Sequence, residues 1–520
     1  MGFPVLTVIL LAPIIGALIS VFIPKENSKV IKAVAGITTF TSLALTIVIY
    51  FIYYNQNLAT GGFAFTEDIP WVRDLGVVYS LGVDGFSLPM LLLTNIIGFT
   101  SVFSRSWSVE KRAKEFYILL LILIGGVMGT FVARDLFIFF LFYEVVVIPI
   151  YIMVIIWGSG SKTKAVTKEY AGMKLTIYLL IGSAFLLAAM IWMYMQAAVY
   201  LGAPTFDIAT LAKVDFPAKF QIIAFGMMAF GFTTLLSMFP FHSWSPDGYA
   251  GAPTAVSMIH AGVLKKIGGY GLIRIGLFIL PLGAKAWAPV IAILAVGNVV
   301  YAALICLAQK DMKYVVGYSS VSHMGFVLIG VASLNIIGLN GAVANMFAHG
   351  VMSALFFSMV GYIYAATKSR YIPDLGGLAH QMPVASTGFV VAAMASAGLP
   401  GLVSFVPEFT TFVGAFATKQ TNMQVLSIIA LTGVVLGAVY VLRMVANVLF
   451  GPRKEEWDHV EDIKGSYLIP VVVLIVFIVT FGIFPSLLMD MVNSGMQPIA
   501  AKMVQATTAA AAAAQIGGNI

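Results

Sequence analysis

Apolar runs of about twenty residues recur along the whole chain, and short clusters of charged residues, Gly and Pro separate them. A helix needs about 20 apolar residues to cross the roughly 30 Å hydrocarbon core of a bilayer. The pattern therefore predicts crossings near 4–23, 30–53, 79–103, 113–133, 135–157, 171–198, 221–243, 253–280, 287–308, 312–332, 339–366, 384–417, 426–450 and 467–489, fourteen in all. This describes an all-α integral membrane protein. The first run, MGFPVLTVILLAPIIGALISVFI, lacks the basic start and small-residue cleavage site of a signal peptide and reads as a retained helix. Segment 490–520, which ends in an alanine run and QIGGNI, is expected to be a short amphipathic or frayed tail.

Two segments interrupt the apolar pattern: Gly231 to Pro240 (GFTTLLSMFP) and Ala397 to Ser404 (AGLPGLVS). Gly and Pro there free backbone groups that only protein or a water-filled cavity can satisfy at membrane depth. The interruptions fall in the seventh and twelfth crossings, five apart, so they fit matching positions of two five-helix repeats. A repeat of odd number flips orientation, which is how inverted-topology transporters pair broken helices at a central pathway. The plainer alternative is that Gly and Pro are frequent in membrane helices. On the repeat reading the chain divides into 1–110 (crossings 1–3), 111–281 (first inverted repeat, crossings 4–8), 282–450 (second inverted repeat, crossings 9–13) and 451–520 (crossing 14 and tail).

Composition agrees: 60% of the 520 residues are hydrophobic and 10% charged, against roughly a quarter charged in soluble domains. The net charge of +7 does not indicate nucleic acid, because the Lys and Arg sit in short loops. Loops after odd-numbered crossings hold 17 of them and loops after even-numbered crossings 6, which places the odd loops in the cytoplasm and both termini on the non-cytoplasmic side. The chain is expected in a bacterial inner membrane or another energy-transducing membrane. The one cysteine, Cys306, lies in an apolar run and rules out an internal disulfide and a Cys-ligated iron–sulfur cluster within the chain. The six His include no His-x-x-x-His pair, and no GxxxxGKS loop is present. No cofactor is expected in this chain, and its driving force must come from an ion gradient or a partner subunit.

An ionisable group at the bilayer centre costs at least about 2.5 kcal/mol on insertion scales, so the few such groups are candidates for an ion path. Glu144 stands in LFIFFLFYEVVVIPIYIMV and Glu408 follows the second interruption in SFVPEFTTF. Lys265 and Lys266 lie in MIHAGVLKKIGGYGLIRIG, about 100° apart on a helix and so on different faces. A low-dielectric surrounding favours the neutral amine, which lets such a lysine take and release protons; the alternative is snorkelling to the interface. His323 and His349 lie in successive crossings, where an imidazole can relay a proton through its two nitrogens or serve as a satisfied core group. Lys174 lies about one turn into the sixth crossing and either snorkels or borders a pathway, and Arg274 is similarly placed in the eighth.

The stretches LGVDGFSLPMLLL (81–93), FLFYE (140–144), MFPFHSWSPDGYAGAPTAVSMIHAGVLKKIGGYGLIR (238–274), QKDMKYVVGYSSVSHMGF (309–326) and GLPGLVSFVPEF (398–409) resemble the proton-translocating, antiporter-like subunit M (chain 4) of NADH:quinone oxidoreductase, respiratory complex I, within the Mrp-antiporter-related superfamily. The likeness runs over roughly 80–450. Mrp-type sodium/proton antiporter subunits match the GGYG and HSW stretches less closely. The resemblance implies a fourteen-helix subunit with two inverted five-helix repeats, bound in the membrane beside L- and N-type antiporter-like subunits and small membrane subunits. It also implies quinone and iron–sulfur clusters or flavin in partner subunits elsewhere in the complex. In that family the fifth-crossing Glu, matched by Glu144, pairs with a seventh-crossing Lys. An eighth-crossing Lys, matched by Lys266, passes protons through positions matched by His323 and His349 to an acid matched by Glu408.

One departure stands out. The family's seventh-crossing lysine precedes the proline of the PFH motif by five residues and is followed two residues later by another proline; Leu235 and Ser237 occupy those places here. No Lys occurs between Lys219 and Lys265, so Glu144 lacks the partner whose pairing and release is the family's switch. Lys265 is a stand-in for it, or the subunit conducts differently, or it does not pump. The competing readings are a redox-driven complex I subunit, a subunit of a cation/proton antiporter, and a structural scaffold without conduction.

Overall fold

The computed structural model describes residues 3–517 apart from 60, 107, 108, 110, 161–165 and 419. Lys162, Lys164 and Lys419, which contribute to the loop charge bias, and residues 518–520 of the tail lie outside the described residues. The chain opens with α1 (Val5–Phe22) and α2 (Ser28–Gln56), then a two-stranded antiparallel hairpin, β1 (Ala64–Val72) and β2 (Val77–Val83). It continues through α3 (Ser87–Val102), α4 (Ala113–Val132), α5 (Leu136–Trp157), α6 (Lys168–Leu201), the single turn α7 (Ile208–Leu211), α8 (Ala218–Leu235) and α9 (Trp244–Gly251). Next come α10 (Thr254–Ile259), a π-helical turn (His260–Leu264), α11 (Lys266–Gly271) and a second π-helical segment (Leu272–Leu277). The rest is α12 (Pro281–Ala308), α13 (Met312–Ala332), α14 (Ile336–Thr367), α15 (Pro383–Ser396), α16 (Phe405–Ala417), α17 (Thr421–Leu449), α18 (Leu468–Ile483) and α19 (Ser486–Gly517).

Among the described residues, eleven helices are long and apolar enough to cross a membrane. The other three of the fourteen predicted crossings are built differently. Residues 79–83 of the segment 79–103 belong to β2, and the helix starts only at Ser87, where the Asp84 carboxylate accepts from the Phe86 and Ser87 amides at 3.0 and 2.9 Å. The segment 253–280 is a chain of short α and π pieces. The segment 384–417 is two helices, α15 and α16, with Gly398 (φ +70°) and Gly401 (φ +90°) turning the chain between them. The seventh crossing is likewise broken, between α8 and α9. Of the two alternatives for the tail, amphipathic or frayed, the structure has the first, though as a long helix, α19, whose Met491, Val492, Met496 and Ile499 are buried. Its polar and alanine-rich sequence conceals that apolar stripe.

Side-chain caps start several long helices: Asp135 accepts from the Phe137 and Ile138 amides, Thr167 from Tyr170, Asp311 from Lys313 and Asn335 from Gly338. The bundle is organised around α13 and α14, which are buried nearly end to end. The broken helices α10–α11 and α16 pack against α14. The outer helices turn large apolar side chains outward, such as Ile37 on α2, Val199 on α6 and Val435 on α17, the surface expected of a protein solvated by lipid.

Candidate functional site

The broken helices bring the ionisable side chains to the central pair. Lys265 and Lys266 follow a π-helical turn, an irregularity frequent at functional sites, and both are 0% exposed. Lys266 Nζ lies 2.7 Å from His349 Nδ1 on α14 and also hydrogen-bonds the Ala261 carbonyl. The His349 and His323 ring centroids are 5.4 Å apart. His323, on α13, holds Nδ1 3.3 Å from Glu408 Oε1, in ion-pair range but not aligned for a hydrogen bond, and Nε2 3.2 Å from Ser396 Oγ. Glu408 opens α16, and a Cβ at Gly398 would come 2.9 Å from its Oε2. The break between α15 and α16 thus lays bare backbone over the carboxylate. Lys266, His349, His323 and Glu408 form a buried row.

Lys265 points inward on another side of the same helix. Its ammonium is 3.4 Å from Ser245 Oγ and 3.3 Å from Ser320 Oγ, and 5.6 Å from the Tyr249 ring centroid. It does not snorkel, and no described ion pair joins it to a carboxylate. Lys174 pairs with Asp247 on α9 at 2.8 Å, and the Tyr314 hydroxyl donates to the other Asp247 oxygen at 2.9 Å. Lys174 therefore belongs to a separate cluster beside Lys265, outside the Lys266–Glu408 row.

Glu144 is half-buried on α5, with Oε1 lacking a hydrogen-bond partner and no described ion pair to a cation. Leu235, at the end of α8, is buried. Lys265 is not the partner of Glu144 here; it is held by hydroxyls of α9 and α13. Arg274 does not line this row either. It pairs with Asp84 at 2.5 Å, both side chains 4% exposed, among the rings of Phe63, Phe86 and Tyr270.

Asp247, Tyr314, Ser245, Ser320 and Ser396 are the contact residues that sequence reasoning passed over. Asp247 had one signal: it lies in SWSPDGYAG, directly after the first interruption. The hydroxyls had none, since serines on membrane helices mostly bond their own backbone.

Broken helices that meet a buried row of amine, imidazole and carboxylate make this a polytopic membrane protein with titratable groups in its interior. Residues 133–437 match the family described as NADH:quinone oxidoreductase/Mrp antiporter, TM. "NAD(P)H-quinone oxidoreductase chain 4 1" of Microcystis aeruginosa is 35% identical over 491 residues, 93% of this chain and 90% of that one. The protein of the same name from Synechococcus elongatus is 34% identical over 518 residues, 99% and 95% of the two chains. In fold, the chain superimposes on a chain of respiratory complex I from Thermus thermophilus with a TM-score of 0.85 at 24% identity, covering 96% of this chain and 99% of that one. It matches a chain of the Mrp complex from Dietzia sp. DQ12-45-1b with a TM-score of 0.81 at 19% identity, covering 96% and 100%. The chain belongs to the NADH:quinone oxidoreductase/Mrp antiporter family.

Proposed function

We propose that the chain is a proton-translocating subunit of the membrane arm of an NADH:quinone oxidoreductase-type complex, and that protons cross its interior along Lys266, His349, His323 and Glu408. The observation that carries this reading is the contact row itself: 2.7 Å from amine to imidazole, 5.4 Å between the two rings and 3.3 Å from imidazole to carboxylate. Each neutral imidazole accepts a proton at one nitrogen and releases one from the other, so a proton leaving Lys266 for His349 displaces one onward to His323 and then Glu408. Lys265 and the Lys174–Asp247 pair lie on the supply side of this row. Quinone reduction in partner subunits, which would hold the quinone, iron–sulfur clusters or flavin, supplies the drive, and this chain carries none of these cofactors. The proposal includes L- and N-type neighbours and small membrane subunits, two inverted repeats over 111–281 and 282–450, an energy-transducing membrane such as the bacterial inner membrane, and both termini on its non-cytoplasmic side.

A second reading has one specific observation behind it. Glu144 has no cation where the seventh-crossing lysine is expected, because Leu235 stands there. That favours a subunit that exchanges cations for protons without this pair, or a scaffold that does not pump. Glu408→Gln and Glu144→Gln in the assembled complex test the choice by proton uptake into vesicles during quinone reduction. Reduced pumping in intact complexes supports the path, and parental pumping by both variants sinks it.

A further inference from the structure

At one end of the bundle, away from the buried row, the ends of α2, α3, α14 and α18 surround a cavity of about 310 Å³. Lys29 and Lys32 enter it from the first turns of α2, Arg105 from just beyond α3 and Lys368 from just beyond α14. Among the described residues no carboxylate lines it, and no described ion pair neutralises Lys29, Lys32 or Arg105. Ser101 and Ser104 add hydroxyls to the wall. The first turn of α2 carries no acidic residue, so the positive end of that long helix adds to the field.

Aromatic rings fix where the charges sit. Lys32 Nζ lies 5.5 Å from the Phe103 ring centroid and 4.9 Å from that of Tyr467, and the Arg105 guanidinium 4.9 Å from Tyr362 and 5.8 Å from Tyr467. Like charge on Lys29, Lys32 and Arg105, with no carboxylate among the described residues that line the cavity, is the inverse image of an anion. All four cations come from helix ends, so the cavity lies at the depth of lipid headgroups rather than in bulk solvent.

A second observation points below the cavity. From Phe103 a row of rings runs toward the apolar span, with centroids 5.3 Å apart from Phe103 to Phe99 and 5.6 Å from Phe99 to Phe40. Phe40 is 56% exposed, and it lies two turns along α2 from Lys32, about 12 Å deeper at 1.5 Å per residue. A small inorganic anion has no use for such a row. An acyl chain hanging from the cavity does.

We propose that this cavity binds the phosphate group of an anionic phospholipid, with an acyl chain lying along Phe103, Phe99 and Phe40. The proposal stands apart from the proton path, and neither depends on the other. The test reconstitutes the whole complex in vesicles carrying a trace of photoactivatable phosphatidylglycerol or phosphatidylcholine, and maps the adducts by mass spectrometry. Phosphatidylglycerol should label peptides within 28–40 and 99–106, and a large excess of inorganic phosphate should leave that labelling intact. Each cation near a bilayer surface contributes about fivefold to anionic-lipid affinity, so Lys32→Gln/Arg105→Gln should cut the labelling by roughly thirtyfold. Lys29→Gln/Lys32→Gln, at the exposed start of α2, makes the same test if the first pair fails to assemble. Equal labelling by phosphatidylcholine, or parental labelling of the assembled variants, overturns the proposal. Loss of labelling to inorganic phosphate assigns the cavity to a free anion and removes the lipid.

Discussion

Two buried amines one residue apart meet different surroundings, and that difference ranks them. Lys266 touches an imidazole that leads onward to Glu408, whereas Lys265 touches two hydroxyls, which can pass a proton but cannot store its charge. Lys266→Ala should therefore lower proton transfer along this row by about a hundredfold, in line with the contribution of a positioned proton carrier, and so lower the number of protons the assembled complex moves per electron. Lys174→Ala, which breaks a more exposed ion pair, should lower it less; the reverse order in a side-by-side assay would remove the ranking. Lys265→Met separates two roles. Lost pumping in an assembled complex would make Lys265 part of the supply to Lys266, and unchanged pumping would make it a charge that the row does without. In either case Glu144 is not its partner, because the ammonium is turned toward α9 and α13.

At the scale of elements, the breaks were legible and what they enclose was not. The Gly and Pro of 231–240 and 397–404 mark interruptions that coincide with the ends of α8 and α15. The hairpin was missed because VVYSLGV is an apolar run separated from the apolar helix after it by little more than Asp84-Gly85, and a short apolar run does not by itself distinguish strand from helix. The length of α19 was missed because its buried stripe of Met and Ile is diluted by Ala, Gln and Thr. Glu408, His323 and His349 could be named from the sequence, but they and their contacts come from five different helices and no local pattern states them. The Asp84–Arg274 pair shows the same limit, since 190 residues separate its members. It ties the loop before α3 to the π-helical segment after α11, where hydrogen bonding is irregular. Asp84→Asn strands a buried guanidinium and should destabilise the fold by about 3–5 kcal/mol, whereas Asp84→Asn/Arg274→Met, which removes the guanidinium and keeps an oxygen for the Phe86 and Ser87 amides, should recover most of that. Retention of the assembled complex on heating measures both, and equal stability of parent and Asp84→Asn would show the pair to be dispensable.

For the whole molecule the open choice is what drives it. The chain has buried titratable groups in a row but neither a nucleotide-binding loop nor the cysteines of an iron–sulfur cluster, and under the proposed function its energy arrives through subunit contacts or through a pre-existing ion gradient. Those sources leave different signatures in the native assembly. Under the redox-driven reading, purification through a tag on this chain should recover quinone-reducing and iron–sulfur subunits together with other antiporter-like chains. The assembly in vesicles should then acidify or alkalinise the lumen only while quinone is being reduced, and an uncoupler should abolish the change. Under the antiporter reading, the chain should come with small membrane subunits alone, and a sodium or potassium gradient should move protons with no quinone present. The missing cation beside Glu144 sharpens the choice. A redox-driven assembly that contains this chain yet moves as many protons per electron after Lys266→Ala would place the work in the neighbouring subunits and leave this chain a scaffold between them. A fall in that ratio, with quinone reduction still running, would show that the row conducts without a lysine at position 235.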